Sequence, residues 1–122
     1  MTRTKVQKPL AASFALTKSA GGLTVYWSGE WRDKYGLSPV FVNLLAPRNG
    51  KLAVARFEFK HRNENGTGYD TTRSDVIARM PCDEPATRAG IETDRPLWAV
   101  RVIFRHDDAP TWYTKWIYNP YF

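Results

Sequence analysis

A chain of 122 residues, 14 % aromatic and 25 % charged, has a globular composition, which excludes the disordered class, where too little apolar surface exists to offset chain entropy. No apolar run approaches the roughly 18 residues of a membrane-spanning helix, and the single Cys82 excludes an internal disulfide. The net charge of +6, from 18 basic and 12 acidic side chains, favours anionic partners such as nucleic acid, an acidic protein or an anionic surface.

The charge is unevenly placed. Arg3, Lys5, Lys8 and Lys18 fall in the first eighteen residues, where there is no acid, leaving 14 basic against 12 acidic side chains in the remainder. The opening MTRTKVQKPLAASFALTKSAGG imitates a secretory signal, with a basic start, a short apolar centre from Leu10 to Leu16 and small residues after it. That centre is interrupted by Ser13 and followed by Thr17 and Lys18. We therefore read residues 1–22 as a retained basic arm with one possible strand over Ser13–Lys18. A single β domain over 23–122 follows, and the expected location is the cytoplasm or a virion.

Gly21-Gly22 opens a strand over Leu23–Trp27, with Leu23, Val25 and Trp27 on one face. Trp27, Trp31 and Tyr35 then recur at every fourth position, which would stack them along a helix of at most two turns between Gly29 and Gly36. One reading makes these rings an exposed platform for sugars or nucleobases, beside Arg32 and Lys34. The preferred reading tucks Trp27 and Trp31 onto the core edge.

Pro39–Ala46 and Lys51–Lys60 read as a hairpin around Pro47-Arg48-Asn49-Gly50, since Asn-Gly supplies the positive φ of such turns. Its second strand puts Ala53, Ala55, Phe57 and Phe59 on one face, and Leu52, Val54, Arg56, Glu58 and Lys60 on the other. In the polar loop that follows, the glycosylation triplet Asn65-Gly66-Thr67 reads as turn chemistry. Tyr69–Met80 is compatible with a strand, a short helix or both, because Thr72-x-x-Asp75 resembles a capping box and Pro81 would stop a helix. Residues 81–96, with three prolines and a glycine, read as a long connection of the kind that is often functional or ordered by a partner.

The strongest pattern is a hairpin from Leu97 to Asn119 around Asp-Asp-Ala-Pro. Strict alternation puts Trp98, Val100, Val102 and Phe104 on one face, and Ala99, Arg101, Ile103 and Arg105 on the other. In the return strand, Trp112, Thr114, Trp116 and Tyr118 alternate with Tyr113, Lys115, Ile117 and Asn119. The tail Tyr121-Phe122 is expected to dock on its own domain or on another. The expected fold is an all-β, antiparallel sandwich of five to seven strands with at most one short helix. A small barrel of the oligonucleotide-binding type is the alternative.

Catalysis finds little support. His61 and His106 lack any metal-ligand spacing. The neighbouring acids Asp107-Asp108, Asp83-Glu84 and Glu30/Asp33 do not imply carboxylates facing each other across a cleft. Cys82 reads as a small packed side chain. No nucleophile elbow, phosphate loop or dinucleotide fingerprint occurs. We expect no enzyme, no metal and no cofactor. The leading expectation is a structural subunit of a larger assembly, such as a virion or phage-particle component. Its contacts would be Arg3, Lys5, Lys8, Arg101, Ile103, Arg105, Tyr113, Lys115, Tyr121 and Phe122. The exposed apolar face of Ile103, Tyr113 and Ile117 would be covered by a partner or by the N-terminal segment. One alternative is single-stranded nucleic-acid binding through Tyr113, Trp31, Tyr35, Arg101, Arg105 and Lys115. A third reading is a carbohydrate-binding module using Trp27, Trp31 and Tyr35.

Overall fold

Alternating burial organises the first half of the described chain into a meander. The computed structural model describes residues 12–45, 53–62, 68–80, 87–106 and 110–121, with backbone alone at 75–80 and 87–89. The meander consists of β1 (Ser13–Ala20), β2 (Leu23–Asp33) and β3 (Gly36–Leu45). β1 turns into β2 at Gly21-Gly22, both at positive φ (59° and 81°), and pairs along its whole length, from Ser13↔Glu30 to Ala20↔Leu23. The backbone N–H of Trp31 donates to the Ala12 carbonyl at 2.7 Å. The strand expected over Ser13–Lys18 is thus an integral sheet strand that runs on to Ala20. Residues 1–11 lie outside the described residues.

β2 also settles the Trp27, Trp31 and Tyr35 pattern. A four-residue spacing keeps side chains on one face of a strand as well as of a helix. Trp27 and Trp31 point inward from an eleven-residue strand, 2 % and 1 % exposed. The edge of Phe14 packs on Trp27 at 4.7 Å between ring centroids, across the space that the missing side chain of Gly29 leaves.

The chain then changes layer. β4 (Ala53–Arg62) pairs with β5 (Tyr69–Met80) and with β7 (Leu97–His106), not with β3. The hairpin expected between Pro39–Ala46 and Lys51–Lys60 is therefore a crossing from one sheet to the other. Its physical reason is that both strands carry a full apolar face. In opposite sheets, Val40, Val42 and Leu44 from one side and Ala53, Ala55 and Phe57 from the other bury into one shared core. Residues 69–80 are strand throughout, and no helix occurs among the described residues. The connection expected over 81–96 contains β6 (Thr87–Glu92), which returns to pair with β3. Two short strands, β8 (Trp112–Tyr113) and β9 (Ile117–Tyr118), both pair with β7.

Two antiparallel sheets result, β1-β2-β3-β6 and β5-β4-β7-β8 with β9 also on β7. They pack as a sandwich rather than a closed barrel. The order β2-β3-β6 facing β5-β4-β7-β8 is that of immunoglobulin-like sandwiches, extended by β1. Among the described residues, seventeen buried ones form one core between the layers, and each large apolar side chain there stabilises by about 1.5–3 kcal/mol. Asn119 fastens the layers at one end. Its Nδ2 donates to the Asp33 carbonyl at the end of β2 (3.0 Å) and to the Leu97 carbonyl at the start of β7 (2.9 Å). His106 does so at the other end, its Nε2 lying 3.2 Å from the Gly21 carbonyl oxygen. Among the described residues, no helix is long and apolar enough to cross a membrane.

A basic aromatic face as candidate functional site

The outer face of the second sheet is built by register. Pairing Glu58 with both Arg73 and Arg101, Arg62 with Tyr69, Arg56 with Ile103 and Val54 with Arg105 sets these side chains side by side on one surface, where cross-strand neighbours interact directly.

Two irregularities add the remaining rings. Lys60 pairs with Ala99 but His61 pairs with Leu97, so β7 carries one extra residue there, as in a β-bulge. Leu97 therefore drops into the core, and Trp98 turns outward. Its ring lies edge-on to Tyr69 at 5.8 Å and to Tyr118 at 5.4 Å. The register then slips by one between β8 and β9: Ile103 faces Tyr113, whereas Val100 faces Ile117. Thr114 holds the slip from inside. Its hydroxyl accepts from the Val102 N–H at 3.0 Å and donates to the Lys115 carbonyl at 3.2 Å. Strict alternation placed Trp98, Trp116 and Tyr118 with the core residues. The bulge and the slip carry all three to the outer face instead, and turn Leu97 and Ile117 inward.

These rings surround cations of the chain itself. Lys60 is 5 % exposed. Its Nζ lies 4.3 Å from the Tyr69 ring centroid, 4.5 Å from Trp116, 5.1 Å from Tyr118 and 5.2 Å from Trp98, and it donates to the Tyr118 hydroxyl at 3.0 Å. Arg101 has its guanidinium carbon 4.2 Å from the Tyr113 ring and 4.2 Å from the Trp116 ring. Each such contact contributes about 0.5–2 kcal/mol, more where water is excluded. Glu58 lies beneath them, its side chain 6 % exposed. It accepts from Arg101 Nε at 2.8 Å and from Arg73 Nε at 3.0 Å. Arg62 lies over Trp98 at 5.5 Å. At the periphery, Tyr69, Tyr113 and Tyr118 remain 42–49 % exposed. The result is a face of partly open rings packed against the chain's own cations.

The residues expected from sequence are distributed differently. Arg101, Arg105, Tyr113 and Lys115 do come to this part of the molecule, and the last three are exposed. Ile103 is buried at 4 %, while Ile117 and Tyr121 are partly buried against the core. The outer face of β7 at Ile103 is thus lined by the chain's own C-terminal segment through β8 and β9. Arg3, Lys5, Lys8 and Phe122 lie outside the described residues, as do Cys82, Asp83, Glu84, Asp107 and Asp108. The platform of Trp27, Trp31 and Tyr35 does not form, because both tryptophans are core. Only Tyr35 is exposed, at a turn where its N–H donates to Asp33 Oδ1 at 2.7 Å. His61, near the end of β4, faces Leu97, and His106, the last residue of β7, faces Ala53 at the opposite end of β4. Burial lowers the pKa of His61 below 6.5, although the Pro96 backbone acts the other way.

Sequence reading missed Lys60, Arg62, Tyr69, Arg73, Trp98, Trp116 and Tyr118 as members of one site. The alternating polar face Arg56, Glu58, Lys60 was the available signal, but nothing local shows which rings the register brings to it. Comparison with known protein families and with curated proteins finds no match for this chain. The strand order alone carries no function, so function is argued from this face.

Proposed function

We propose that this protein is a non-catalytic binding domain that takes single-stranded nucleic acid on the outer face of its second sheet, in the cytoplasm or within a virion. One observation carries the reading. Arg56, Lys60, Arg62, Arg73, Arg101 and Arg105 share a face with a single described carboxylate, Glu58, and are interleaved with Tyr69, Trp98, Tyr113, Trp116 and Tyr118. Bases stack on exposed rings for about 1–3 kcal/mol each, and basic side chains follow the phosphates. Lys60 and Arg101 hold the ring planes, so little ordering is left to do on binding. Arg62, Arg73 and Arg105 stand at the rim, where counterion release gains free energy.

The test is fluorescence anisotropy of a labelled homo-oligonucleotide titrated with protein across a salt series. The expected outcome is a linear fall of log affinity with log salt, with a slope of about −0.7 for each phosphate neutralised. Tyr113→Ala and Tyr118→Ala should each weaken binding about 5- to 150-fold. A duplex of equal length should bind less well, because its bases cannot reach the tyrosine rims. No binding at low salt would overturn the proposal.

A second reading, a subunit of a larger protein assembly, is favoured by the opposite layer. Tyr26, Phe41 and Leu45 are 44 %, 39 % and 43 % exposed on the first sheet, and clustered exposed apolar side chains mark contact surfaces.

A further inference from the structure

Three arginines converge at one end of the basic face. Arg56 faces Ile103 and Arg105 faces Val54, so Arg56 and Arg105 are diagonal neighbours across β4 and β7, about 7–8 Å apart at the backbone. Arg73 faces Glu58 from β5 and is diagonal to Arg56 on the other side. All three line a cleft of about 190 Å³, together with Val54, Ile103 and Thr111. The bond from Arg73 to Glu58 uses Nε. Among the described residues, its two terminal nitrogens have no partner, and Arg56 and Arg105 have no carboxylate partner. Like charges gathered on adjacent strands are destabilising unless an anion lies between them, and guanidiniums match phosphate oxygens in paired hydrogen bonds.

Position and charge specify the anion. Arg56 and Arg62 are six residues apart along β4, about 20 Å, and the tyrosine rims lie between and beyond. The cleft is therefore an end of the platform, not its middle. An internal phosphodiester carries one negative charge, whereas a phosphomonoester carries about −1.5 to −2 near neutral pH. Three guanidiniums fit the latter. We infer that the Arg56–Arg73–Arg105 cleft is a subsite for a phosphomonoester, the terminal phosphate of a single strand laid along the face. This inference rests on the nucleic-acid reading above and deepens it by fixing which part of the strand is held.

The experiment compares one oligonucleotide in three forms, 5′-phosphorylated, 3′-phosphorylated and unphosphorylated, with the label kept internal. One phosphorylated form should bind at least ten-fold more tightly than the unphosphorylated one. Arg56→Gln and Arg105→Gln should each erase most of that preference, while Lys18→Gln on the other layer should leave it. Circular dichroism checks that the variants fold. Equal affinity for all three forms would overturn the terminal-phosphate inference and leave nucleic-acid binding standing. No binding of any form would overturn the nucleic-acid reading itself. Inorganic phosphate titrated alone would then decide the cleft by amide resonance shifts. Movement at Thr111 and Arg105 that Arg56→Gln abolishes would retain a phosphoryl subsite, and no movement would remove it.

Discussion

Glu58 shows at the residue scale how the face can be both basic and folded. Its buried carboxylate holds two guanidiniums in hydrogen-bonding geometry, and this fixes Arg101 between the rings of Tyr113 and Trp116. A buried charge is tolerated only where its lone pairs are satisfied in this way. Lys60 is the complementary case, a buried cation whose partners are ring faces and one phenol. His61 supplies a pH prediction. Burial lowers its folded pKa below 6.5, so as pH falls the unfolded chain takes up the proton first. Its contribution to stability is complete above 6.5 and is lost as pH drops below that value, levelling off beneath the folded pKa. The melting temperature should therefore decline between pH 7 and pH 5, and His61→Gln should flatten the decline. An unchanged profile in that variant would assign the acid sensitivity to other groups.

Small departures from regular pairing decide the site at the scale of the element. One extra residue in β7 and one slipped residue between β8 and β9 relocate three aromatic side chains from the core side to the outer face. A period of two allows no smaller change, since any odd shift inverts the face. The same sensitivity appears in β6, whose pairing with β3 depends on Gly36. A Cβ there would meet the Ile91 carbonyl oxygen well inside contact distance. Gly36→Ala should release β6 locally while the β4–β5–β7 core persists. Hydrogen exchange should then show loss of protection at 87–92 with protection in 99–104 retained. Uniform loss across both segments would instead show that β6 unfolds only with the whole sandwich. The 81–96 stretch hid this strand because its prolines, glycine and charges leave little apolar alternation to read, although Ile91 reaches the core.

The whole molecule presents two unlike outer faces, one basic and ring-bearing, the other with exposed Tyr26, Phe41 and Leu45. Light scattering behind size exclusion, at low and high salt, separates the two functional readings. Nucleic-acid binding through the second sheet alone predicts a 14.0 kDa monomer at both salts. A defined multiple of that mass, reduced by Phe41→Ser, would support assembly through the first sheet. The class of fold was legible in the sequence. Alternation in Leu23–Trp27, Ala53–Phe59 and Leu97–Arg105 demands strands with one face to bury, and two such faces close on each other as a sandwich. Also legible was an excess of cations concentrated in the first eighteen residues, and more aromatics than a few ligand contacts would use. Which strands share a sheet was not legible, because two consecutive strands with one apolar face each read alike whether they pair or lie in opposite sheets. The membership of the site was equally hidden, since Lys60, Tyr69, Trp98 and Trp116 span 57 positions and meet only through register. Local pattern determines which side chains must be buried. Only the tertiary pairing, with its bulge and slip, decided which of them stand together in the open, because face is set by parity counted across strands distant in the chain.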